Sequence, residues 1–155
     1  MVRVEALGPD DWETTRDLRL AALLNAPEAF GGTYEETAKR TEADWRAWPK
    51  NGQVFAARID DEPVGMACGW QDPEKPDVTA LIGMWVAPKA RGGSVAKALI
   101  DAVAQWARER DSQAIELTVY ESNVAGRRAY LKHGFADTGP SLEYANALNM
   151  RLDLS

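Results

Sequence analysis

An apolar run ending at Val86 breaks at Pro88, passes through the adjacent glycines Gly92 and Gly93, and enters an amphipathic helix. That helix carries Val95, Leu99, Ala102, Val103 and Trp106 on one stripe, so its buried face is defined. A strand, a glycine turn and a helix start in this order bring bare backbone N–H groups and the positive end of a helix to one point. The arrangement suits a diphosphate without a metal. A nucleotide P-loop is excluded, because it needs Lys directly before the Ser or Thr, where this chain has Gly93 before Ser94. The dinucleotide fingerprint G-x-G-x-x-G fails as well, since these glycines are adjacent and lie past the middle of the chain.

A second motif lies downstream. Leu117 to Asn123 reads as a strand and turn leading into Ala125-Gly126-Arg127-Arg128-Ala129-Tyr130, followed by Gly134-Phe135. Val86, Pro88, Arg91, Gly92 and Ala96 resemble the acyl-coenzyme A loop of the GNAT N-acetyltransferase superfamily, V-x-P-x-x-[RQ]-G-x-G-x-[GA]. The downstream segment resembles that family's N-x-x-(x)-A and Y-x-x-x-G-F. The resemblance is close from Val78 to about Thr138, and one position departs from it: Ser94 stands where the family usually has its second glycine.

The rest of the chain agrees in element order. Val2 to Leu7 is predicted as a strand, Pro9 to about Asn25 as a helix, and Thr33 to Trp48 as a helical region broken near Thr41, where Asp44 completes a capping box. Gln53 to Asp60 and Val64 to Trp70 form a hairpin. In the second of these strands Val64, Met66, Cys68 and Trp70 alternate with Gly65, Ala67 and Gly69, which separates a bulky face from a small one. Val78–Val86 and Ala114–Tyr120 follow as strands, Asn123 to His133 as a helix stopped by Gly134, and Phe135–Thr138 and Ala147–Leu154 as the last strands. The fold expected is α/β (α+β): a GNAT acyltransferase fold with a mixed six- to seven-stranded sheet, about four helices, and splayed parallel strands four and five.

Composition bounds the remaining possibilities. With 155 residues, 45% of them hydrophobic and six of them tryptophan, the chain can bury a full core as one domain spanning 1–155. The sequence shows no long apolar run and no charged-then-apolar leader, so a cytoplasmic protein that engages no membrane is expected. One cysteine, Cys68, and one histidine, His133, exclude an intrachain disulfide and a usual zinc site, so no metal is expected. A net charge of −6 argues against nucleic acid as a partner, while Lys89, Arg91 and Lys97 bracket the glycine loop locally. His133 is read as a partner of its own helix's last carbonyls rather than as a catalyst.

Acetyl transfer to an amine needs a held thioester, a polarised carbonyl, a neutral amine and a proton for the departing thiolate. The resemblance implies that the backbone of Met84, Trp85 and Val86 holds the pantetheine arm and polarises the carbonyl. It gives the pyrophosphate to Arg91, Gly92, Gly93, Ser94, Val95 and Ala96, adds Asn123 as a helix cap that also meets acetyl-coenzyme A, and makes Tyr130 the general acid. A phenol stays protonated near neutrality, so the role suits it. The general base is not matched: relatives carry glutamate near the places of Ala80 and Thr118. Glu28, Glu35, Glu36 and Glu121 are the candidates, with Glu35 favoured because Phe30 to Glu35 belongs to the acceptor-lining region of the superfamily. The implied activity is transfer of an acetyl group from acetyl-coenzyme A to a primary amine of a small molecule or peptide. Polyamine, aminoglycoside, amino acid and exposed lysine are the acceptors considered, and a homodimer is admitted. Two alternatives stay open: a non-catalytic acyl-coenzyme A binding module, and a generic nucleotide-binding domain.

Overall fold

A computed structural model of the protein describes residues 1–26 and 33–154. Its elements run β1 (Val2–Leu7), α1 (Trp12–Asn25), α2 (Tyr34–Ala38), α3 (Glu42–Ala47), β2 (Gly52–Ile59), β3 (Glu62–Gln71), β4 (Val78–Val86), α4 (Val95–Glu109), β5 (Ala114–Tyr120), α5 (Val124–Lys132), β6 (Ala136–Pro140) and β7 (Ala147–Asp153). All seven strands join one sheet in the order β1-β2-β3-β4-β5-β7-β6, and every neighbouring pair is antiparallel except β4 and β5. Among the described residues no helix is long and apolar enough to cross a membrane.

Local chemistry explains where the elements start and stop. The helix expected from Pro9 opens with a 3-10 turn over Pro9–Asp11, because Asp11 Oδ2 accepts the Gly8 amide at 2.9 Å before α1 begins at Trp12. Five α-helices are described where about four were expected. The region from Thr33 to Trp48 divides because it holds two caps: Thr33 Oγ1 accepts from Glu36 N, and Thr41 and Asp44 exchange reciprocal bonds of 2.9 and 3.2 Å. Asp60 and Asp61 both adopt left-handed backbone, φ 50° and 67°, and make the tight two-residue turn between β2 and β3. That turn lets β3 begin at Glu62 rather than Val64. At the other end of the chain, β6 starts after Phe135, whose ring leaves the strand to pack edge-on against Tyr130 at 5.6 Å.

β3 is buried on both faces from Val64 to Gly69. Its small-residue face lies under α4, and the approach is close enough that neither Gly65 nor Gly69 could carry a side chain. A Cβ at Gly69 would meet Trp106 Cε3 at 2.7 Å, and one at Gly65 would meet the Trp85 carbonyl at 2.9 Å and Leu99 Cδ1 at 3.2 Å. The helix buries Val95, Leu99, Ile100, Val103, Ala104 and Ala107; Ala102 and Trp106, expected on the core stripe, are half-buried at its margin. The opposite face of β3 carries Cys68, which is fully buried beside Gly83 of β4.

β4 and β5 are the pair that shapes the molecule. They are joined only at Val78↔Ala114, Thr79↔Ile115 and Ala80↔Glu116. A buried Thr79–Ser112 hydroxyl bond of 2.6 Å and a Gln113 N to Asp77 O bond of 2.7 Å pin this closed end. Beyond Ala80 the strands part. Gly83 takes φ +61° at a register shift between β3 and β4, forming a bulge that bends β4 away. From there to Val86, β4 has no strand partner on its β5 side.

Two measurements test this packing. Gly69→Val should cost roughly 1–3 kcal/mol in chemical denaturation, since the added methyls overlap the Trp106 ring, and Trp106→Leu in the same chain should recover part of it. Burial raises the Cys68 thiol to about 12, with Arg19 opposing the shift. The folded state therefore holds this proton while the unfolded thiol, with a value of 9.0, releases it. The contribution is intact below pH 9 and is lost above it, by up to about 1.4 kcal/mol per pH unit until the folded thiol itself ionises. Cys68→Ala should show a correspondingly shallower loss of stability between pH 9 and 11.

Candidate active site

The parting of β4 from β5 leaves a wedge whose floor is the Thr79–Ser112 end, and at its mouth β4 runs into the loop from Ala87 to Ser94 and the start of α4. The loop is held from both sides. The Ala87 amide extends the β4 ladder onto the Val64 carbonyl at 2.7 Å, and Pro88–Ala90 form a single 3-10 turn. Gly92 then takes φ +84° with no atom within 4 Å of where a Cβ would sit, so it alone of the two adjacent glycines needs left-handed backbone. Gly93 has ordinary φ, and a Cβ there would meet only the Ala90 carbonyl at 3.9 Å. From Gly92 to Lys97 no amide donates to another described backbone group outside the helix, which is the expected state of a helix N-terminus. Ser94 is the N-cap residue, yet its hydroxyl makes no capping bond, so it is available above the same amides as Val95 and Ala96.

The cations around the loop are committed to protein partners. Arg91 donates from Nε to the Val86 carbonyl at 2.9 Å and from Nη2 to Asn25 Oδ1 at 2.8 Å. Asn25 Oδ1 also accepts from Trp85 Nε1 at 3.1 Å, so one amide oxygen ties the end of α1 to both β4 and the loop. Asn25 went unnoticed in the sequence; it lies some sixty residues from its partners, and no local pattern marks it. Lys89 pairs with Glu62, and Lys97 with Asp101 at 2.7 Å. Met84 is half-buried and Trp85 buried, so their side chains serve the core while their backbone runs along the unpaired edge of β4.

On the β5 side, Asn123 caps α5 through Oδ1, which accepts the Gly126 amide at 3.0 Å. Tyr130 is buried seven residues later, and burial pushes its phenol well above the ordinary tyrosine value. Its ring rests on Phe135, and no described residue bonds its hydroxyl. Gly134, φ +98°, ends the helix. His133 forms no side-chain hydrogen bond to its own helix; burial, then Lys132, lowers its pKa, while Asp101 of α4 acts the other way.

The candidate bases are not gathered at the wedge. Glu35 and Glu36 are exposed in the first turn of α2, Glu121 is exposed after β5 with its amide on the Asn146 carbonyl, and Glu28 lies outside the described residues together with Phe30, Gly31 and Gly32. Of the two places where the resemblance leads to an expectation of glutamate, Ala80 pairs with Glu116 of β5, and the Thr118 hydroxyl bonds Asn149 at 2.9 Å. Glu116 itself is occupied by Arg151 at 3.1 Å. Among the described residues no group of three or more His, Cys, Asp or Glu could hold a metal.

Known proteins resemble this chain in sequence and in fold. The chain is 27% identical over 147 residues to the mycothiol acetyltransferase of Tsukamurella paurometabola, covering 90% of this chain and 50% of that protein. Against the L-2,4-diaminobutyric acid acetyltransferase of Methylotuvimicrobium alcaliphilum, identity is 34% over 72 residues, covering 46% of this chain and 42% of the other. The chain thus spans about half the length of the curated relatives it matches. The PaiA N-acetyltransferase of Thermoplasma acidophilum, solved in complex with coenzyme A, has the same fold, with a TM-score of 0.78 at 14% identity over 99% of both chains. The model of the acetyltransferase (GNAT) family matches residues 17–135, from within α1 to the Gly134-Phe135 stop after α5, and the chain belongs to that family.

Proposed function

We propose that the protein moves an acetyl group from acetyl-coenzyme A directly to a primary amine of a small molecule or peptide. The observation that carries this reading is the wedge: β4 loses its parallel partner directly before a loop whose bare amides begin α4, with the Tyr130 hydroxyl left uncommitted on the helix beyond β5. In this reading Gly92 to Ala96 and the Ser94 hydroxyl receive the diphosphate, and Asn123 braces the other wall. Arg91 positions the loop through Val86 and Asn25 rather than through ionic contact alone. Acetyl-coenzyme A supplies the activated thioester.

The edge of β4 at Met84 to Val86 lines up the pantetheine arm and stabilises the charge that develops on the acetyl oxygen. The amine nitrogen attacks the carbonyl carbon, a C–N bond forms, and the C–S bond breaks. Tyr130 gives its phenolic proton to the leaving sulfur, a role its burial supports by keeping it protonated. The proton lost by the amine passes to a carboxylate or through water to solvent, and Glu35 is the carboxylate we assign to it on the resemblance. The Methylotuvimicrobium relative is named for a diamino acid, so small amines head the acceptor panel.

Release of coenzyme A thiol from acetyl-coenzyme A with a panel of amines, amino acids and peptides tests the reading. Tyr130→Phe should keep coenzyme A affinity and lower turnover by about a hundredfold or more; undiminished turnover under chemistry-limited conditions removes Tyr130 from the mechanism. Saturable binding with no thiol release from any acceptor identifies a non-catalytic acyl-coenzyme A binder.

Gly92→Val forces a β-branched residue into left-handed backbone and should weaken coenzyme A binding in calorimetry, while the protein stays folded at a cost of roughly 1–3 kcal/mol in chemical denaturation. Gly93→Ala should be tolerated, because its backbone and surroundings accept a Cβ. Equal affinities for the two variants would move the diphosphate away from this turn.

A further inference from the structure

A second polar cluster abuts the wedge at the Gly83 bulge, on the face of the sheet covered by α1 and α3. A Cβ at Gly83 would lie 3.7 Å from Arg19 Nη1 and 4.0 Å from Trp48 Cη2. The Arg19 guanidinium sits 5.9 Å from the Trp48 ring centre, and that of Arg40 lies 5.7 Å from the same ring and 5.0 Å from Trp45. Two guanidinium groups thus share one indole, and they are close enough that Arg40 adds to burial in lowering the Arg19 pKa. A guanidinium partly removed from water, as that of Arg40 is, is costly unless an anion meets it.

The described residues do not supply that anion to Arg40. Its Nη1 is buried without a hydrogen-bond partner among them, as is Trp45 Nε1. Asp44 feels the charge of Arg40, but its carboxylate is held by the Thr41 amide at 2.9 Å in the capping box and forms no ion pair. A pocket of about 410 Å³ lined by Arg40, Asp44, Ala47 and Trp48 opens beside the cluster.

We propose that Arg40, with Arg19 next to it, is the anion subsite of the acceptor pocket, and that the acceptor is a compact amine bearing a carboxylate: an amino acid rather than a polyamine or aminoglycoside. The inference rests on the acetyl-transfer reading, since the bulge at Gly83 immediately precedes the β4 edge assigned to the acetyl group. It also qualifies the overall charge. The acidic surface steers cations from a distance, whereas the groups nearest the bulge are cationic. Guanidinium forks match carboxylates in two parallel hydrogen bonds, and the flat indole keeps both forks in place.

The test compares amino acids with their decarboxylated amines (lysine with cadaverine, ornithine with putrescine, leucine with isoamylamine) in the thiol-release assay. For at least one pair the carboxylated member should have kcat/KM about tenfold or more above its partner, since a site built for a polar group discriminates against analogues that lack it. Arg40→Gln should collapse that ratio by raising KM for the carboxylated member more than it lowers kcat, and Arg40→Lys should restore part of it. Coenzyme A affinity and the melting transition serve as the control for folding. Equal use of both members of every pair, or a loss in Arg40→Gln shared equally by both, overturns the subsite while leaving acetyl transfer standing. Silence with every amine instead defeats the acetyl-transfer reading, and calorimetry of the same pairs against the coenzyme A complex then decides the subsite. Carboxylate-dependent binding that Arg40→Gln abolishes upholds it, and none sinks it.

Discussion

Three residue pairs hold the two halves of this sheet together. β1 to β4 form one antiparallel block and β5 to β7 another, and they meet only where Val78 to Ala80 face Ala114 to Glu116. Parallel pairing requires a long crossover, here α4, and that helix is clamped against β3 by glycines that leave no space for side chains. The seam is therefore short in hydrogen bonds yet well supported by packing. The Thr79–Ser112 bond and the α4 contacts hold the halves at the closed end while the bulge at Gly83 turns β4 outward. A few ångströms beyond the last shared bond, a strand edge lies without a partner strand on one side. In a folded protein such an edge must find water or a ligand.

Much of this was legible in the sequence, for physical reasons that can be named. β4 and β5 were readable to the residue because both are short apolar runs bounded by punctuation, and the Thr41/Asp44 capping box announced the break between α2 and α3. Where reading and structure differ, the competing interaction is local. Asp11 tightened the first helical turn, a left-handed Asp60-Asp61 pair moved the start of β3, and Phe135 gave up its strand position to pack on Tyr130. The strain at the glycine loop resides at Gly92 rather than being shared between both glycines, a distinction that adjacent glycines conceal in a sequence.

The two ends of the proposed site differ in how far they could be read. The cofactor side depends on backbone, so a contiguous motif records it: a strand end, a turn and a helix start are consecutive in the chain. The acceptor side depends on side chains from α1, the α2–α3 connection and the residues after α3, brought together by tertiary packing. Arg19, Arg40, Trp45 and Trp48 share no spacing that distinguishes them from a solvated helical surface, and only the bulge at Gly83 reveals that they adjoin β4. The general base shows the same limit, since the two places where the resemblance leads to an expectation of glutamate hold Ala80 and Thr118.

Asn25 joins three elements at one atom. Its side-chain oxygen has two lone pairs, and both are taken, one by the indole of β4 and one by the guanidinium of the glycine loop. A planar amide with both acceptor directions filled behaves as a stiff strut rather than a hinge. The last turn of α1, the strand edge and the loop are thereby joined at one atom, and a shift of any one of them breaks one of the two bonds. A protein with a narrow sheet seam thus carries a cross-brace at the opposite end, where a single carboxamide ties helix, strand and loop together.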